Sequence, residues 1–350
     1  MRLSLSGLTA LLLLLLAGCT AHPVAVKRAF YFWRSDYIRD EESDSAKSLH
    51  AHKLYLKMFE VERHPVMGPV PADKSSVGSY SVPMFADSQH RAQELVPTVY
   101  VNDNVFTGLS PAGIDSLAEN IGFLVKKRLE EGHWRAYHWT IQELQIDCDW
   151  TAAHKVSYFR LLEQLKKTWG GPISCTLRLY PFKYRERMGT PPVDRAMLMC
   201  YNLLNPMAHA ERNTILDTEE LEGYLTRQRR YPVPLDIALP LYSRMQWHQN
   251  GHFVKTLETE ALDTPLLRAT RPFWYEVTAD TTIGTAYLRR GDAIKLEQVS
   301  VAELESAARM LHRRLELQGT VTVALFHLDE SLLKHYGHDT LDRIYTAFTR

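Results

Sequence analysis

The 350-residue chain has little of the residue types and motifs that mark several common classes of protein. Of its four cysteines, the three beyond residue 19 lie inside strand-like runs, and their odd number argues for buried thiols and against a disulfide framework. Their spacing does not match a zinc site. The 41 basic and 41 acidic side chains cancel, so we expect no general attraction to nucleic acid. The chain also lacks a Gly-x-Gly-x-x-Gly turn and a His-Glu-x-x-His pair. We therefore expect no metal and no organic cofactor.

Apolar runs are also scarce, and the longest is at the N-terminus. The segment from Leu8 to Ala17 includes six consecutive leucines. This run is too short to span a bilayer and is typical of a signal-peptide core. It ends in Leu16-Ala17-Gly18-Cys19.

That ending resembles the lipobox of bacterial lipoproteins, in which the cysteine is lipidated and becomes the first residue of the mature protein. The resemblance implies a signal peptide over residues 1–18, a lipid on Cys19 that anchors the protein to a membrane, and a tether over residues 19–27. The protein would then lie in the bacterial cell envelope, outside the cytoplasm. Thr20 is not the Asp that retains some lipoproteins in the inner membrane, which favours the outer membrane.

Eight strand-like segments alternate with segments of helical periodicity in the rest of the chain. Three capping signals support the helices: Ser110 before Pro111, Asp217 with Glu220, and Ser300 with Glu303. Apolar residues at helical spacing between Val156 and Trp169 predict a further helix. Alternation of this kind predicts a parallel sheet, and eight strands close a (β/α)₈ TIM barrel. An open doubly wound sheet is the alternative, but no glycine motif follows a strand. The candidate strands are Arg28–Arg34, Lys53–Val61, Glu94–Val101, Glu143–Trp150, Ile173–Tyr180, Arg195–Asn202, Pro234–Ser243 and Thr320–Leu328.

Two stretches interrupt this alternation. Residues 62–93 are rich in Pro, Gly and Ser, which predicts a long loop over the barrel mouth. Residues 248–299 contain short strand-like patches and predict a small β-rich insertion after the seventh strand. The expected organisation is one barrel over residues 28–350 that includes this insertion.

The fourth strand carries a pair of carboxylates at its end. Alternation of side chains places Gln145, Asp147 and Asp149 on one face, with the two carboxylates about 7 Å apart along the strand. A pair that is screened from water titrates as a coupled unit in which one pKa is raised, as general acid/base chemistry requires. The alternative is structural: one Asp caps the next helix and the other pairs with an arginine.

The fifth strand, beside this pair, has the same alternation. Arg178 and Tyr180 are expected on its inner face, where Arg178 could pair with Asp147 and lower the pKa of that carboxyl. The outer faces are apolar and carry the remaining cysteines, which we expect to be buried thiols. These are Cys148, Cys175 and Cys200.

The segment Leu144-Gln-Ile-Asp-Cys-Asp-Trp-Thr151 resembles the fourth-strand motif of glycoside hydrolase family 18, Asp-Gly-x-Asp-x-Asp-x-Glu. Met199-Cys-Tyr201-Asn202 resembles the Met-x-Tyr-Asp of the sixth strand, and Leu239-Pro-Leu-Tyr242 resembles the Leu-Pro-Tyr-Gly of the seventh. Phe326 stands where the family has a Trp at the floor of the sugar subsite. The closer resemblance, over residues 143–203, is to an uncharacterised set of bacterial lipoprotein barrels related to that family.

The motif also departs from the family pattern. The proton-donor Glu is replaced by Thr151, whose hydroxyl cannot act as an acid near neutral pH and which instead suits the N-cap of the next helix. Another carboxylate would have to supply the proton, and Glu60 and Glu62 at the end of the second strand are the leading candidates. The parity of that strand leaves open whether they face inward. Further options just beyond strand ends are Asp36, Asp329 and Glu330.

Aromatic residues at predicted strand ends favour carbohydrate as the ligand, because flat rings pack on the apolar faces of sugars. They are Tyr31, Trp33, Tyr100, Tyr180, Tyr201, Tyr242, Trp247 and Phe326. The alternative is that half of them fill the barrel core.

Two functions follow from these observations. The first is a lipid-anchored glycosidase acting on a polysaccharide or glycan, with Asp149 stabilising the reacting centre and Asp147 tuning it. The second is a non-catalytic barrel that binds a glycan or an envelope partner and has lost the family proton donor. The residues expected to bind the glycan are Trp33, Tyr100, Arg178, Tyr180, Tyr201, Asn202, Tyr242 and Phe326.

Overall fold

The computed structural model describes residues 24–72, 93–132, 139–226, 229–257, 266–283 and 286–349. The predicted signal peptide and the lipidation site Cys19 lie outside these residues. Within the described ranges, no helix combines the length and apolar character needed to cross a bilayer.

The predicted TIM barrel is confirmed. Eight parallel strands pair side by side, and the ring closes where the first strand pairs with both the second and the eighth. The barrel strands are β1 (Ala25–Phe32), β2 (Lys53–His64), β3 (Gln93–Val101), β4 (Leu144–Asp147), β5 (Ile173–Arg178), β6 (Arg195–Met199), β7 (Leu235–Pro240) and β8 (Thr320–Phe326).

Helices lie between the strands and begin where capping residues predict. Ser110 caps α2 with Pro111 at its first position, Asp217 caps α6, and Ser300 forms a reciprocal capping box with Glu303 at α7. The helices are α1 (Asp40–Ser48), α2 (Pro111–Glu131), α3 (Lys155–Trp169), α4 (Leu179–Lys183), α5 (Arg185–Met188), α6 (Thr218–Leu225), α7 (Val301–Arg314), α8 (Glu330–Tyr336) and α9 (His338–Thr346).

The barrel lumen is packed, and its middle layer contains polar groups that satisfy one another. The Tyr31 hydroxyl donates to Gln145 at 2.7 Å, and the Tyr31 and Tyr55 rings stack with centroids 4.7 Å apart. The outer faces of the strands are apolar. As predicted, Cys175 is free and buried there, and Cys148 just past β4 and Cys200 just past β6 are also free, buried thiols.

The predicted insertion is a second, antiparallel sheet with its own small apolar core. It begins at Arg244, a few residues earlier than expected, and returns to the barrel after Glu297. Its five strands, in spatial order, are His252–Leu257, Arg244–Gln249, Ala293–Glu297, Trp274–Val277 and Leu267–Arg271. A two-stranded ribbon joins Thr281–Ile283 to Ala286–Leu288.

Several boundaries differ from the predictions because hydrogen bonding, not apolar pattern, ends a strand. β1 begins at Ala25, which pairs with Thr320, so the last residues of the predicted tether belong to the barrel. β4 ends at Asp147, leaving Asp149 beyond it. The predicted loop from residue 62 begins as a hairpin, since β2 runs to His64 and returns as the strand Gly68–Ala72. Residues 73–92 lie outside the described ranges.

Candidate functional site

A pocket of about 360 Å³ opens at the carboxyl ends of the barrel strands. This end of a TIM barrel is where ligand sites lie, because the strand-to-helix loops converge there. Its lining includes ten of the twelve residues predicted as catalytic, acid or glycan-binding positions. The lining residues are Trp33, Glu60, Tyr100, Asp147, Asp149, Arg178, Met199, Tyr201, Asn202, Tyr242, Arg244 and Phe326.

Asp147 is the most strongly perturbed acid in the pocket. Its Oδ1 accepts a hydrogen bond from the Thr176 hydroxyl of the neighbouring strand at 2.6 Å. Burial and then the nearby charge of Asp149 raise the pKa of Asp147 to about 6, although the Thr176 hydrogen bond and the Arg178 charge oppose the shift. This agrees with the expectation that one member of the pair has a raised pKa. Asp147 can therefore hold or release a proton close to neutral pH.

Arg178 pairs with Asp149, not with Asp147 as expected. Its Nε and Nη2 donate to the two oxygens of Asp149 at 2.6 and 3.0 Å in a bidentate fork. Burial alone would lower the pKa of Arg178, but the hydrogen bonds and charge of Asp149 raise it. The predicted pairing of Arg178 with Asp147 is wrong because Asp149, just beyond the strand end, takes up the guanidinium. The predicted direction of its effect is right, since the Arg178 charge lowers the pKa of Asp147 against the larger effect of burial.

Glu60 enters the pocket because of an irregularity in β2. Between Lys57 and Phe59 the pairing with β3 shifts by one residue, so Met58 is an extra residue in the strand. A bulge of this kind inverts the alternation of side chains. An unbroken strand would place Lys57 and Glu60 on opposite faces. Because of the bulge they meet in the lumen, with Lys57 Nζ 3.1 Å from Glu60 Oε1.

Three side chains form a row across adjacent strands at the pocket wall. Glu60 of β2 pairs in register with Tyr100 of β3, and Tyr100 pairs with Asp147 of β4. The backbones of Glu60 and Asp147 are thus two strand spacings apart, about 9–10 Å. Between them, burial followed by the charges of Asp149 and Asp147 raises the pKa of Tyr100 to about 12. The Tyr100 hydroxyl therefore stays protonated at neutral pH.

The opposite wall of the pocket is aromatic. Phe326 lies at its centre, with ring centroids 5.3 Å from Tyr201, 5.8 Å from Trp33 and 5.9 Å from Tyr242. The guanidinium carbon of Arg178 lies 5.8 Å from the centre of the Tyr201 ring. The wall offers flat apolar faces next to charged groups, as a sugar-binding surface does.

Asn202 and Arg244 form the third side of the pocket. Asn202 adopts a left-handed backbone (φ 55°), which Asn tolerates better than most residues. Its side-chain oxygen accepts hydrogen bonds from the Tyr242 hydroxyl at 2.6 Å and from Arg244 Nη2. Arg244 and Met199 line the pocket but were not predicted. The available signal for Arg244 was its position two residues after Tyr242, at the start of the insertion.

Two predicted site residues lie elsewhere. Tyr180 was expected on the inner face of β5, but the strand ends at Arg178, and Tyr180 stands in α4 with its ring against Tyr184. Glu62 is exposed on the extension of β2 beyond the mouth. Neither lines the pocket.

The remaining acid and aromatic candidates are also placed outside the pocket. Asp36 and Asp329 both pair with Arg34, and Asp329 also caps α8. Glu330 pairs with Lys334 on that helix. Of the aromatic residues, Tyr31 lies deeper in the core, and Trp247 donates to Asp292 within the insertion at 2.9 Å.

Thr151 caps the turn that leads into the next helix: its hydroxyl oxygen accepts a hydrogen bond from the His154 N–H at 3.4 Å. α3 itself begins four residues after Thr151, at Lys155, with His154 at the cap position. The Thr151 backbone N–H and hydroxyl also donate to the carboxylate of Asp103, at 3.0 and 3.1 Å. His154 Nδ1 lies 2.8 Å from the same carboxylate. The threonine thus joins the loops that follow β3 and β4.

Among the described residues, no three His, Cys, Asp or Glu side chains are grouped closely enough to hold a metal ion. The site is instead built from ion pairs, single hydrogen bonds and aromatic rings.

No protein-family model matches the chain, and no curated protein matches it. Solved structures do. The Bacillus cereus spore cortex-lytic enzyme SleL aligns with a TM-score of 0.51 at 13% identity, covering 94% of this chain and 75% of that one. The chitinase Chi1 of the Yersinia entomophaga toxin complex aligns with a TM-score of 0.48 at 11% identity, covering 90% and 85%. A GH113 β-1,4-mannanase aligns at 0.44 and 10% identity, covering 93% and 98%. At these identities the likeness to SleL shows the shared barrel fold alone.

Proposed function

We propose that the protein binds a glycan at the barrel mouth and hydrolyses a glycosidic bond in it. The observation that carries the proposal is the row formed by Glu60, Tyr100 and Asp147, two carboxyls flanking a tyrosine, opposite an aromatic wall. The fold that the chain shares with a cortex-lytic enzyme is consistent with this activity. Most glycosidases need two carboxyls in different protonation states.

The environments of the two carboxyls assign their roles. Asp147, with a pKa of about 6, is the proton donor to the leaving oxygen. Glu60, paired with the Lys57 ammonium at 3.1 Å, is the carboxylate that activates water. Asp149 orients Arg178 and stabilises charge at the reacting centre. Tyr201 and Tyr242 position the sugar.

The spacing of the row also indicates the stereochemical outcome. The backbones of Glu60 and Asp147 are about 9–10 Å apart, which is nearer to the separation of about 6.5–9.5 Å between the carboxyls of inverting enzymes than to the separation of about 5–5.5 Å in retaining ones. We therefore expect the product to have the opposite anomeric configuration to the substrate. Proton NMR of the initial product tests this, and retention would rule out Glu60 as the water-activating base.

A matched pair of variants tests the activity. The purified protein is screened for reducing-end release on diverse polysaccharides, and Glu60→Gln is compared with Glu62→Gln. The two glutamates lie on one strand, but only Glu60 lines the pocket. We expect Glu60→Gln to lower kcat/KM by at least 100-fold and Glu62→Gln to leave it within twofold. Equal effects of the two changes would contradict the proposal.

A second candidate function is a non-catalytic barrel that binds a glycan or an envelope partner. Two contacts favour this alternative. Asp149 is paired with Arg178 through two hydrogen bonds, and Thr151 is bonded to Asp103, so both residues of the motif are engaged by the protein itself. Under this alternative, glycans bind the pocket but no bond is cleaved at any pH.

The proposal includes attachment to a bacterial membrane through a lipid on Cys19, with the outer membrane favoured. The lipobox-like segment from Leu16 to Cys19 supports it. Expression of the full chain in a bacterium, followed by fractionation, tests it. We expect Cys19→Ser to move the protein out of the membrane fraction and Cys200→Ser to leave it there; retention of the Cys19 variant in the membrane would contradict the anchor.

A further inference from the structure

The charge pattern of the pocket points to a more specific ligand. Most ionic groups at the mouth are compensated by a close partner. Asp149 neutralises Arg178 through two hydrogen bonds, and Lys57 neutralises Glu60 at 3.1 Å. The other arginine of the pocket lining, Arg244, is held differently.

Arg244 shares its carboxylate with a second cation. The nearest acid, Glu297, is fully buried and lies 3.7 Å from Arg244 Nη1, beyond hydrogen-bond distance. Glu297 Oε1 is instead 3.1 Å from the ammonium of Lys295, which is also fully buried. Two formal positive charges therefore share one negative charge, and this cluster carries one positive charge in excess.

The arginine is also held rigidly. Its Nη1 donates to the Thr214 hydroxyl at 3.1 Å, and its Nη2 donates to Asn202. Thr214 in turn donates from its hydroxyl and its backbone N–H to Glu297, at 2.8 and 2.7 Å. Thr214 and Asn202 take two of the five guanidinium N–H donors, and the Tyr242 hydroxyl is a further partner of Arg244, so not more than three donors remain for a ligand.

Arg178, the other arginine of the pocket lining, also has a free N–H donor. Arg178 Nη1 is buried and has no hydrogen-bond partner among the described residues, although the other two nitrogens of this side chain are paired with Asp149. Arg178 and Arg244 both border the pocket. An unpartnered buried donor is costly, and an acceptor on a ligand would satisfy it.

From these contacts we propose that the pocket selects a glycan carrying a carboxylate, such as a uronic acid or a sugar with an acidic ether substituent, and that Arg244 is the residue that recognises the acid group. The inference rests on the proposed glycan function and deepens it by naming the substrate class. A rigid guanidinium with free donors and excess positive charge binds a planar carboxylate well. Below about pH 6, where Asp147 of the same lining is protonated, a neutral sugar would leave that positive charge uncompensated.

The test compares each acidic oligosaccharide with its own methyl ester, so that only the charge changes. The probes are oligogalacturonate, hyaluronan hexasaccharide and glycan fragments containing N-acetylmuramic acid, with binding measured by calorimetry on the full chain. We expect at least one acid to bind tenfold or more tightly than its ester, and this preference to fall as salt rises from about 0.05 to 0.5 M.

Two arginine variants complete the design. Arg244→Gln is expected to abolish the preference, measured as the ratio of the affinities for acid and ester; a general loss of pocket structure would lower both affinities and leave that ratio unchanged. Arg271 lies in the same insertion but outside the pocket lining. Arg271→Gln is expected to change neither the affinity for the acid nor the affinity for the ester. Esters that bind as tightly as acids, or a preference that survives Arg244→Gln, would overturn the inference and leave glycan binding standing. Failure of every acid and ester to bind would instead overturn the proposed function itself, and this inference with it.

Discussion

Asp147 shows how burial gives one side chain a chemical role. It belongs to a motif with two carboxylates that both line the pocket, yet only Asp147 lies within the strand, where desolvation and the charge of Asp149 act together. Asp149, two residues later, is half-exposed and engaged by Arg178. The same residue type at neighbouring positions thus has different chemistry because water reaches the two differently.

The raised pKa of Asp147 predicts a pH-dependent loss of stability. The folded protein binds the Asp147 proton more tightly than the unfolded chain does. The stabilising contribution of this proton to the free energy of unfolding is therefore complete below 3.8, the pKa in the unfolded chain, and is lost as pH rises through about 6. The shift bounds the loss at about 3 kcal/mol, which partial solvent screening reduces to about 1–2 kcal/mol. In urea titrations, Asp147→Asn should therefore gain stability relative to the parent between pH 4 and 7.

The control is Asp339→Asn, because Asp339 is almost fully exposed. Its free energy of unfolding should follow that of the parent across the same pH range. If the difference in free energy of unfolding between the parent and Asp147→Asn stayed constant between pH 4 and 7, the pKa of Asp147 would not be raised in the folded protein.

If Asp147 is the proton donor, activity should fall at the alkaline side of its pKa. Above about pH 6 the acid ionises and kcat/KM should decrease tenfold for each pH unit. Thr176→Val removes the hydrogen bond that stabilises the ionised form, so the descending limb should move to higher pH. A limb that stays in place in Thr176→Val would assign it to another group.

At the scale of elements, the bulge in β2 decides which carboxyl reaches the site. Arg128 of α2 donates to the carbonyl of the bulged residue Met58 at 2.9 Å. This contact satisfies a backbone group that the strand ladder leaves open and helps to hold the extra residue in place.

Arg128→Met should destabilise the protein by about 1–2 kcal/mol, because the Met58 carbonyl loses its partner. Arg128→Met should also lower the glycosidase activity proposed to depend on Glu60, because the bulge positions that carboxylate. Lys127→Met is the matched control, since Lys127 is the exposed neighbour on the same helix, and its free energy of unfolding should change by less than about 0.5 kcal/mol. Equal denaturation midpoints for the two variants would exclude a role of Arg128 at the bulge.

At the scale of the whole molecule, two apolar cores are separate. One surrounds and fills the barrel, and the other lies within the insertion. The insertion nevertheless supplies Arg244 and the buried Glu297 to the barrel mouth. Its first strand, Arg244–Gln249, and its last, Ala293–Glu297, are antiparallel neighbours in which His248 faces Ala293.

This pairing allows the outer strands of the insertion to be removed. Replacing residues 249–292 with an Asn-Gly turn should leave a hairpin that still presents Arg244. We expect far-UV circular dichroism to retain the barrel signal and thermal unfolding to remain cooperative at a lower Tm, because apolar side chains of the hairpin lose their cover. Loss of a cooperative transition would show that the barrel depends on the outer strands.

The sequence by itself determined the eight strands, their order and the polar residues of the mouth, because apolar periodicity and capping signals are local. That information places ten of the predicted residues, among them Trp33, Tyr201 and Asn202, around one pocket. Strand ends were less well predicted, since the apolar pattern of β5 continues past the last ladder hydrogen bond. Tyr180 was misplaced for that reason.

Only the tertiary structure decided the contacts that give these residues their chemistry. Pairing of Arg178 with Asp149 depends on where two strands end side by side, and entry of Glu60 depends on a one-residue register shift between β2 and β3. Arg244 is held at the mouth by Asn202 and Thr214, and its cross-strand neighbour Glu297 comes from a strand far along the chain. These are relations between segments far apart in the chain, set by packing and hydrogen-bond register, which no local pattern encodes.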